Sequence, residues 1–152
     1  MDLDELLDCS QALAMQPPMV GDNVIVITNG GGIGVLSSDA AEFHGVPLKA
    51  APKDLQDLFY KTMPSFGSPK NPVDITGGSG AQGYEDCVEI ALKHPWVSGI
   101  AVLYCETAMT KPPQIVEAIK RGIDKVKDSK KPITACFVGG ELCVTAGKML
   151  SD

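Results

Sequence analysis

The stretch Val24-Ile25-Val26-Ile27-Thr28-Asn29-Gly30-Gly31-Gly32-Ile33-Gly34 leaves little choice of local structure. Four β-branched apolar residues in succession, with nothing polar alternating, read as a strand covered on both faces. The glycines that follow let the main chain turn sharply and approach a ligand, because no Cβ stands in the way. From Val35 to His44 apolar residues recur at helical spacing, so that Val35, Leu36, Ala40 and Phe43 are predicted to share an inward face. A strand, a glycine turn and a helix result, with the helix's free N–H groups aimed back at the strand end. Such a helix start favours an anion through hydrogen bonding and through its dipole. The functional surface is expected there.

The remaining chain repeats the alternation. Asp2 to Met15 carries Leu3, Leu6, Leu7 and Leu13 at amphipathic spacing and is stopped by Pro17-Pro18. Gly45 closes the helix after the glycine turn. Pro47-Leu48-Lys49-Ala50 is predicted as a short second strand, tolerating proline only at its start or on an edge. Asp54 to Lys61 is a helix with Leu55, Leu58 and Phe59 inward. Met63 to Pro72 is a proline-rich connection, leading through Val73-Asp74-Ile75 into a second glycine loop, Thr76-Gly77-Gly78-Ser79-Gly80.

Tyr84 to Lys93 is a helix, and Ser98 to Tyr104 a second buried strand. Pro112-Pro113 opens a helix running to about Val126, and Pro132 to Val138 is a third central strand before Gly139-Gly140 and a helix over Glu141–Leu150. The class is therefore α/β, a flavodoxin-like, doubly wound, mainly parallel sheet in three layers. A sheet of that kind normally continues with one more strand and helix, so the stop at Asp152 reads as a fragment boundary. Residues 1–20 are expected to form a helix and linker, and residues 21–152 the domain.

Composition excludes several classes. A net charge of −6 argues against broad nucleic-acid binding, which needs basic residues to displace counterions. No apolar run approaches the roughly 20 residues that span a bilayer. The acidic N-terminus lacks the basic flank of a signal peptide. Five cysteines without CxxC spacing read as free thiols, and a cytoplasmic location is expected. His44 and His94 sit at predicted helix ends and far apart, which disfavours a zinc site.

The loops hold the candidate chemistry. The glycine segments at 30–34, 76–80 and 139–140 all follow strand ends and should gather along the carboxyl edge of the sheet. A dinucleotide reading of Gly32-Ile33-Gly34 needs an acid about 20 residues on, and Asp54 is displaced into the next helix. Asp74 either caps its own loop or orients Thr76 or a ligand. Glu106 is either a site acid or a solvated loop residue. A flavin carrier would need Trp96 placed to stack a ring.

Three stretches together, GDNVIVITNGGGIGVLSSD from Gly21, KNPVDITG from Lys70 with Tyr84 beyond it, and KPITACFVGG from Lys131, resemble the NDP-forming acyl-CoA synthetases. That family includes ADP-forming acetate–CoA ligase and is related to succinyl-CoA synthetase. The resemblance implies the second flavodoxin-like ligase domain of an enzyme converting acyl-CoA, ADP and phosphate into carboxylic acid, ATP and CoA. Mg²⁺ and CoA would serve the whole enzyme, with no cofactor bound by this domain alone.

It further implies a phosphohistidine in another domain, since the family's Ser-His-Thr-Gly setting is absent here, so no catalytic residue and no isolated turnover are expected of this chain. Partners would be CoA-binding and phosphohistidine domains and an ATP-grasp domain or subunit. By position, Asn29, Gly30, Gly31, Gly32, Ile33 and Gly34 would face the phosphoryl group. Asn71, Asp74, Thr76, Gly77 and Gly78 would lie beside the acyl carboxylate. The same architecture occurs as a regulatory module in ligase-like protein acetyltransferases.

Overall fold

A computed structural model describes residues 3–151 of the chain. Strands β1 (Val24–Thr28), β2 (Val73–Asp74), β3 (Gly99–Cys105) and β4 (Ile133–Val138) form one sheet in the order β2-β1-β3-β4, and every pairing is parallel. The helices are α1 (Leu3–Met15), α2 (Gly31–Phe43), α3 (Lys53–Tyr60), α4 (Gly80–Lys93), α5 (Pro112–Asp124) and α6 (Glu141–Ser151). This strand order is the doubly wound one, and its topological switch point lies between β1 and β3.

The two faces of the sheet are covered unequally. Ile25, Ile27, Ile100, Val102 and Tyr104 point into a core shared with Tyr84 and Val88 of α4 and Ile115 and Ile119 of α5. Each such side chain contributes about 1.5–3 kcal/mol by leaving water. The opposite face carries α2, which approaches through its small residues: a methyl group on Gly34 would meet Thr28 Cγ2 at 3.2 Å and Pro72 Cβ at 3.4 Å.

That approach inverts the expected orientation of α2. Val35, Leu36 and Phe43 are 62%, 68% and 85% exposed, so the apolar stripe faces outward while Gly34 is buried. Close helix–strand contact requires the glycine side inward, and the larger residues are carried to the far side. The helix also begins earlier than its apolar spacing suggests, with the glycines forming its first turn. In α3, Leu55 and Phe59 are buried as expected, and Leu58 is not.

The second strand is not at Pro47–Ala50, which forms no strand. Pro47 opens that segment and Pro52 follows it closely, and both lack N–H groups. Asn71 occupies the adjacent edge of β1 instead: its amide donates to Val24 O (2.8 Å) and Lys49 O (3.0 Å) and accepts from Val26 N (3.0 Å). Val73 and Asp74 then pair with Ile27 and Thr28.

β4, expected to be central, lies at the sheet's edge with Thr134, Ala135 and Cys136 exposed. Pro132 O accepts from Ile100 N, so the N–H of Ile133 turns away from β3, where Gln16 Oε1 accepts it at 2.9 Å. The leucine stripe of α1 is uncovered, with Leu3, Leu6, Leu7 and Leu13 each at least half exposed. No described helix is long and apolar enough to cross a membrane.

Candidate functional site

The carboxyl ends of β1 and β3 are tied together by one side chain. Asn29, 6% exposed, donates through Nδ2 to Cys105 O (2.9 Å) and accepts at Oδ1 from Cys105 N (2.8 Å). Its amide stands in for the strand pairing that ends at Thr28 and is not free for a ligand. Tyr84 donates to Leu103 O at 2.8 Å just beside it, and burial holds its phenol well above the ordinary range, so it remains a neutral donor.

The chain then turns into α2. Gly30 is the N-cap in extended conformation, its N–H donates to Thr28 Oγ1 (3.1 Å), and its carbonyl receives Gly34 N at 3.1 Å. No side chain caps this helix, and its first turn contains no acidic residue. The N–H groups of Gly31, Gly32 and Ile33 are therefore presented at the helix mouth with no partner among the described residues. A side chain at Gly32 would meet nothing within 4 Å, so the approach to these donors is open.

The loop after β2 borders that mouth. Asp74 accepts the N–H of Thr76 at Oδ1 (2.9 Å), and its Oδ2 lies 3.1 Å from where a Cβ on Gly31 would be. One carboxylate thus closes its own turn and touches the start of α2. Gly77 packs toward Thr107, whose Cγ2 would lie 3.7 Å from a Cβ there, and Gly78 is exposed. The structure so gathers Gly30, Gly31, Gly32, Ile33, Asp74, Thr76, Gly77 and Gly78, together with Thr107, at the switch point. Gly34 is packed beneath, Asn29 is framework, and Asn71 sits toward the amino end of β1.

The third glycine segment is already filled. Glu106 Oε2 accepts Gly140 N at 2.7 Å, at the start of α6, and receives the thiol of Cys143 at 3.9 Å. Glu106 is the exposed loop residue of the two expected roles, and its carboxylate additionally caps α6. The glycines are what admit it, since a side chain on Gly139 would collide with both Glu106 and Cys143. The pattern was legible in principle as an acid just past one strand and paired glycines just past the next.

Other candidates fall at the far end of the sheet. Asp54 lies 3.3 Å from His94, the C-cap of α4, and Asn23 binds Trp96 O at 3.0 Å, so none of the three reaches the glycine turn. A concavity of about 640 Å³ at the strands' amino ends is lined by Leu92, Val97 and Val126 with three lysines. Two of these are engaged: Lys131 with the carbonyls of Ala91, Leu92 and His94, and Lys93 with Glu89. It is a structural recess with few free polar groups converging on it.

Residues 24–152 match a family model described as the Ligase-CoA domain. The chain is 43% identical over 150 residues to the α subunit of ADP-forming acetate–CoA ligase I of Pyrococcus furiosus, covering 99% of this chain and 32% of that one. It is 25% identical over 150 residues to the ADP-forming 4-hydroxybutyrate–CoA ligase of Nitrosopumilus maritimus, covering 99% of this chain and 21% of the relative. The dinucleotide-forming acetyl-coenzyme A synthetase 1 of Candidatus Korarchaeum cryptofilum, solved with phosphate and ADP, superposes with a TM-score of 0.93 at 37% identity, over 98% of this chain and 32% of that one. The chain thus spans a third or less of the length of these relatives.

Proposed function

The chain belongs to the Ligase-CoA domain family, and on that premise we propose that it serves as one domain of an ADP-forming acyl-CoA synthetase, presenting the mouth of α2 to the phosphoryl group in transit. The whole reaction is acyl-CoA, ADP and phosphate to carboxylic acid, ATP and CoA. The observation that carries this reading is the uncapped first turn, Gly31 to Ile33, at the switch point of the sheet.

Three main-chain N–H groups and the positive end of a helix dipole stabilise a phosphoryl oxyanion without a charged side chain. Donors of this kind, fixed before the reaction, are worth about 10²–10³ in rate each. Asp74 beside Gly31 repels the bound group, by about 4 kcal/mol for unit charges 4 Å apart at a near-surface dielectric. A site that attracts and repels suits a group that passes through in both directions.

The histidine that carries the phosphoryl group, the CoA-binding domain and the ATP-grasp domain or subunit are assigned to the remainder of the ligase, as are CoA and Mg²⁺. Among the described residues no cluster of three His, Cys, Asp or Glu is placed to hold a metal ion.

Titration of the ¹⁵N-labelled chain with inorganic phosphate tests the reading. Saturable shifts are expected at the amides of Gly31, Gly32 and Ile33, and Gly32→Val should abolish them while leaving the melting temperature near that of the parent. Shifts confined to other residues, or none, would sink it.

A further inference from the structure

Two bare apolar surfaces belong to the amino end of the sheet. One is the leucine side of α1, where Leu3, Leu6, Leu7 and Leu13 are 69%, 50%, 58% and 82% exposed. At helical spacing these four share one side, and Glu5 and Asp8 fall on the other. A 13-residue helix with an uncovered apolar side is marginal in water, so its stability depends on a surface that covers it.

The other is the recess of about 640 Å³, whose apolar walls come from Val20, Leu92, Pro95, Val97 and Val126. The turn that closes it, residues 125–131, holds four lysines and one acid. Among the described residues the side chains of Lys127 and Lys130 have no hydrogen-bond or ion-pair partner. Helix and recess are complementary in charge, because α1 carries three acidic residues between Leu3 and Met15 and no basic one.

α1 does not fill the recess of its own molecule, since none of its residues lines it. Its root is nevertheless fixed beside that recess. Gln16 Oε1 accepts the N–H of Ile133 at 2.9 Å, and the sulfur of Met19 would lie 2.9 Å from a Cβ on Gly99. Pro17-Pro18 stiffens the connection between these two anchors. With root and recess at the same end, two chains facing each other across a two-fold axis exchange helices and close the assembly.

We propose that α1 is an exchange arm: its leucine side seats in the amino-end recess of a second copy of this chain, drawn there by the lysines of the 125–131 turn. The mode is an amphipathic helix laid in an apolar groove. Each copy gives one helix and receives one. The carboxyl edge of the sheet, with the mouth of α2, stays open at the opposite end of both copies.

Sedimentation velocity of the 152-residue chain from micromolar to millimolar concentration tests this. The expected result is a monomer–dimer equilibrium. Leu6→Ser with Leu13→Ser should leave a monomer whose melting temperature, measured at micromolar concentration, matches the parent's, because neither residue is in the core. Lys127→Glu with Lys130→Glu should raise the dimer dissociation constant at least about tenfold, and added salt should raise it in the parent.

In the ¹⁵N-labelled parent, amide shifts that grow with concentration should appear at Val97, Val126 and Lys130 and spare Val35 and Leu36. A parent that stays monomeric overturns the proposal. So does a dimer that survives the serine substitutions, or one lost with them yet indifferent to the lysine reversals, which would mean that α1 pairs with α1. Concentration-dependent shifts confined to α2 place the contact on that helix and overturn it too.

Discussion

Gly32 and Gly34 stand two residues apart and are needed for unrelated reasons. At Gly34 the want of a side chain is a packing condition, since a methyl group would press on Thr28 and Pro72 at 3.2 and 3.4 Å. Gly34→Ala should therefore lower stability by about 1–3 kcal/mol, read by urea unfolding. At Gly32 a methyl group meets nothing, so Gly32→Ala should leave stability unchanged or raise it by about 0.4–1 kcal/mol while impeding anion access. Equal losses from the two substitutions would contradict the assignment. Cys87, fully buried, has its thiol pushed up to about 12 by burial and should resist an aromatic disulfide reagent until the protein unfolds. The exposed Cys9 and Cys136 should react at once.

Among the elements, two side chains replace missing secondary structure, and this marks the boundary of what the sequence discloses. β1, β3, α4 and α5 were legible because their apolar periods match their burial: Ile25, Ile27, Val102, Val88, Leu92, Ile115 and Ile119 all lie in the core. The second strand was misplaced because Asn71, an apparent loop residue, supplies the edge of β1 from its side chain. The α2 face was inverted because packing favoured glycine over the apolar stripe. At the site, the glycine turn announced itself, whereas the capping by Glu106 depends on a contact between distant segments.

Helix ends give two further expectations. Lys131 binds the last carbonyls of α4 at 2.6–3.2 Å, and Lys131→Met should cost about 1–3 kcal/mol in urea unfolding. On α4, Lys125 and Arg121 of the neighbouring segment hold the Glu85 carboxyl below the usual glutamate range. A lowered carboxyl stabilises the fold above its unfolded pKa and loses that contribution as pH falls through the folded one. The melting temperature should thus decline below about pH 4, and Glu85→Gln should flatten that decline.

On the scale of the whole molecule, covering is one-sided. α4 and α5 close one face of the sheet over a continuous core, while α2 shields part of the other and displays Val35, Leu36 and Phe43 to solvent. The leucines of α1 and Val144 of α6 are exposed as well. Such area marks surfaces used for association. The chain should bind an anilinonaphthalene dye while folded, and Leu36→Ser with Phe43→Ser should cut that fluorescence without moving the melting temperature. An unaltered signal would place the patch elsewhere.

The capping of α6 by Glu106 carries a consequence for how the molecule tells its two glycine mouths apart. A carboxylate on a short tether competes at an effective concentration at or above the millimolar range of a short flexible link. A free anion enters that contest at a disadvantage, because the Glu106 carboxylate already accepts the N–H of Gly140. The two glycine turns thus differ in occupancy: a carboxylate of the chain sits at the start of α6, whereas no side chain caps the start of α2.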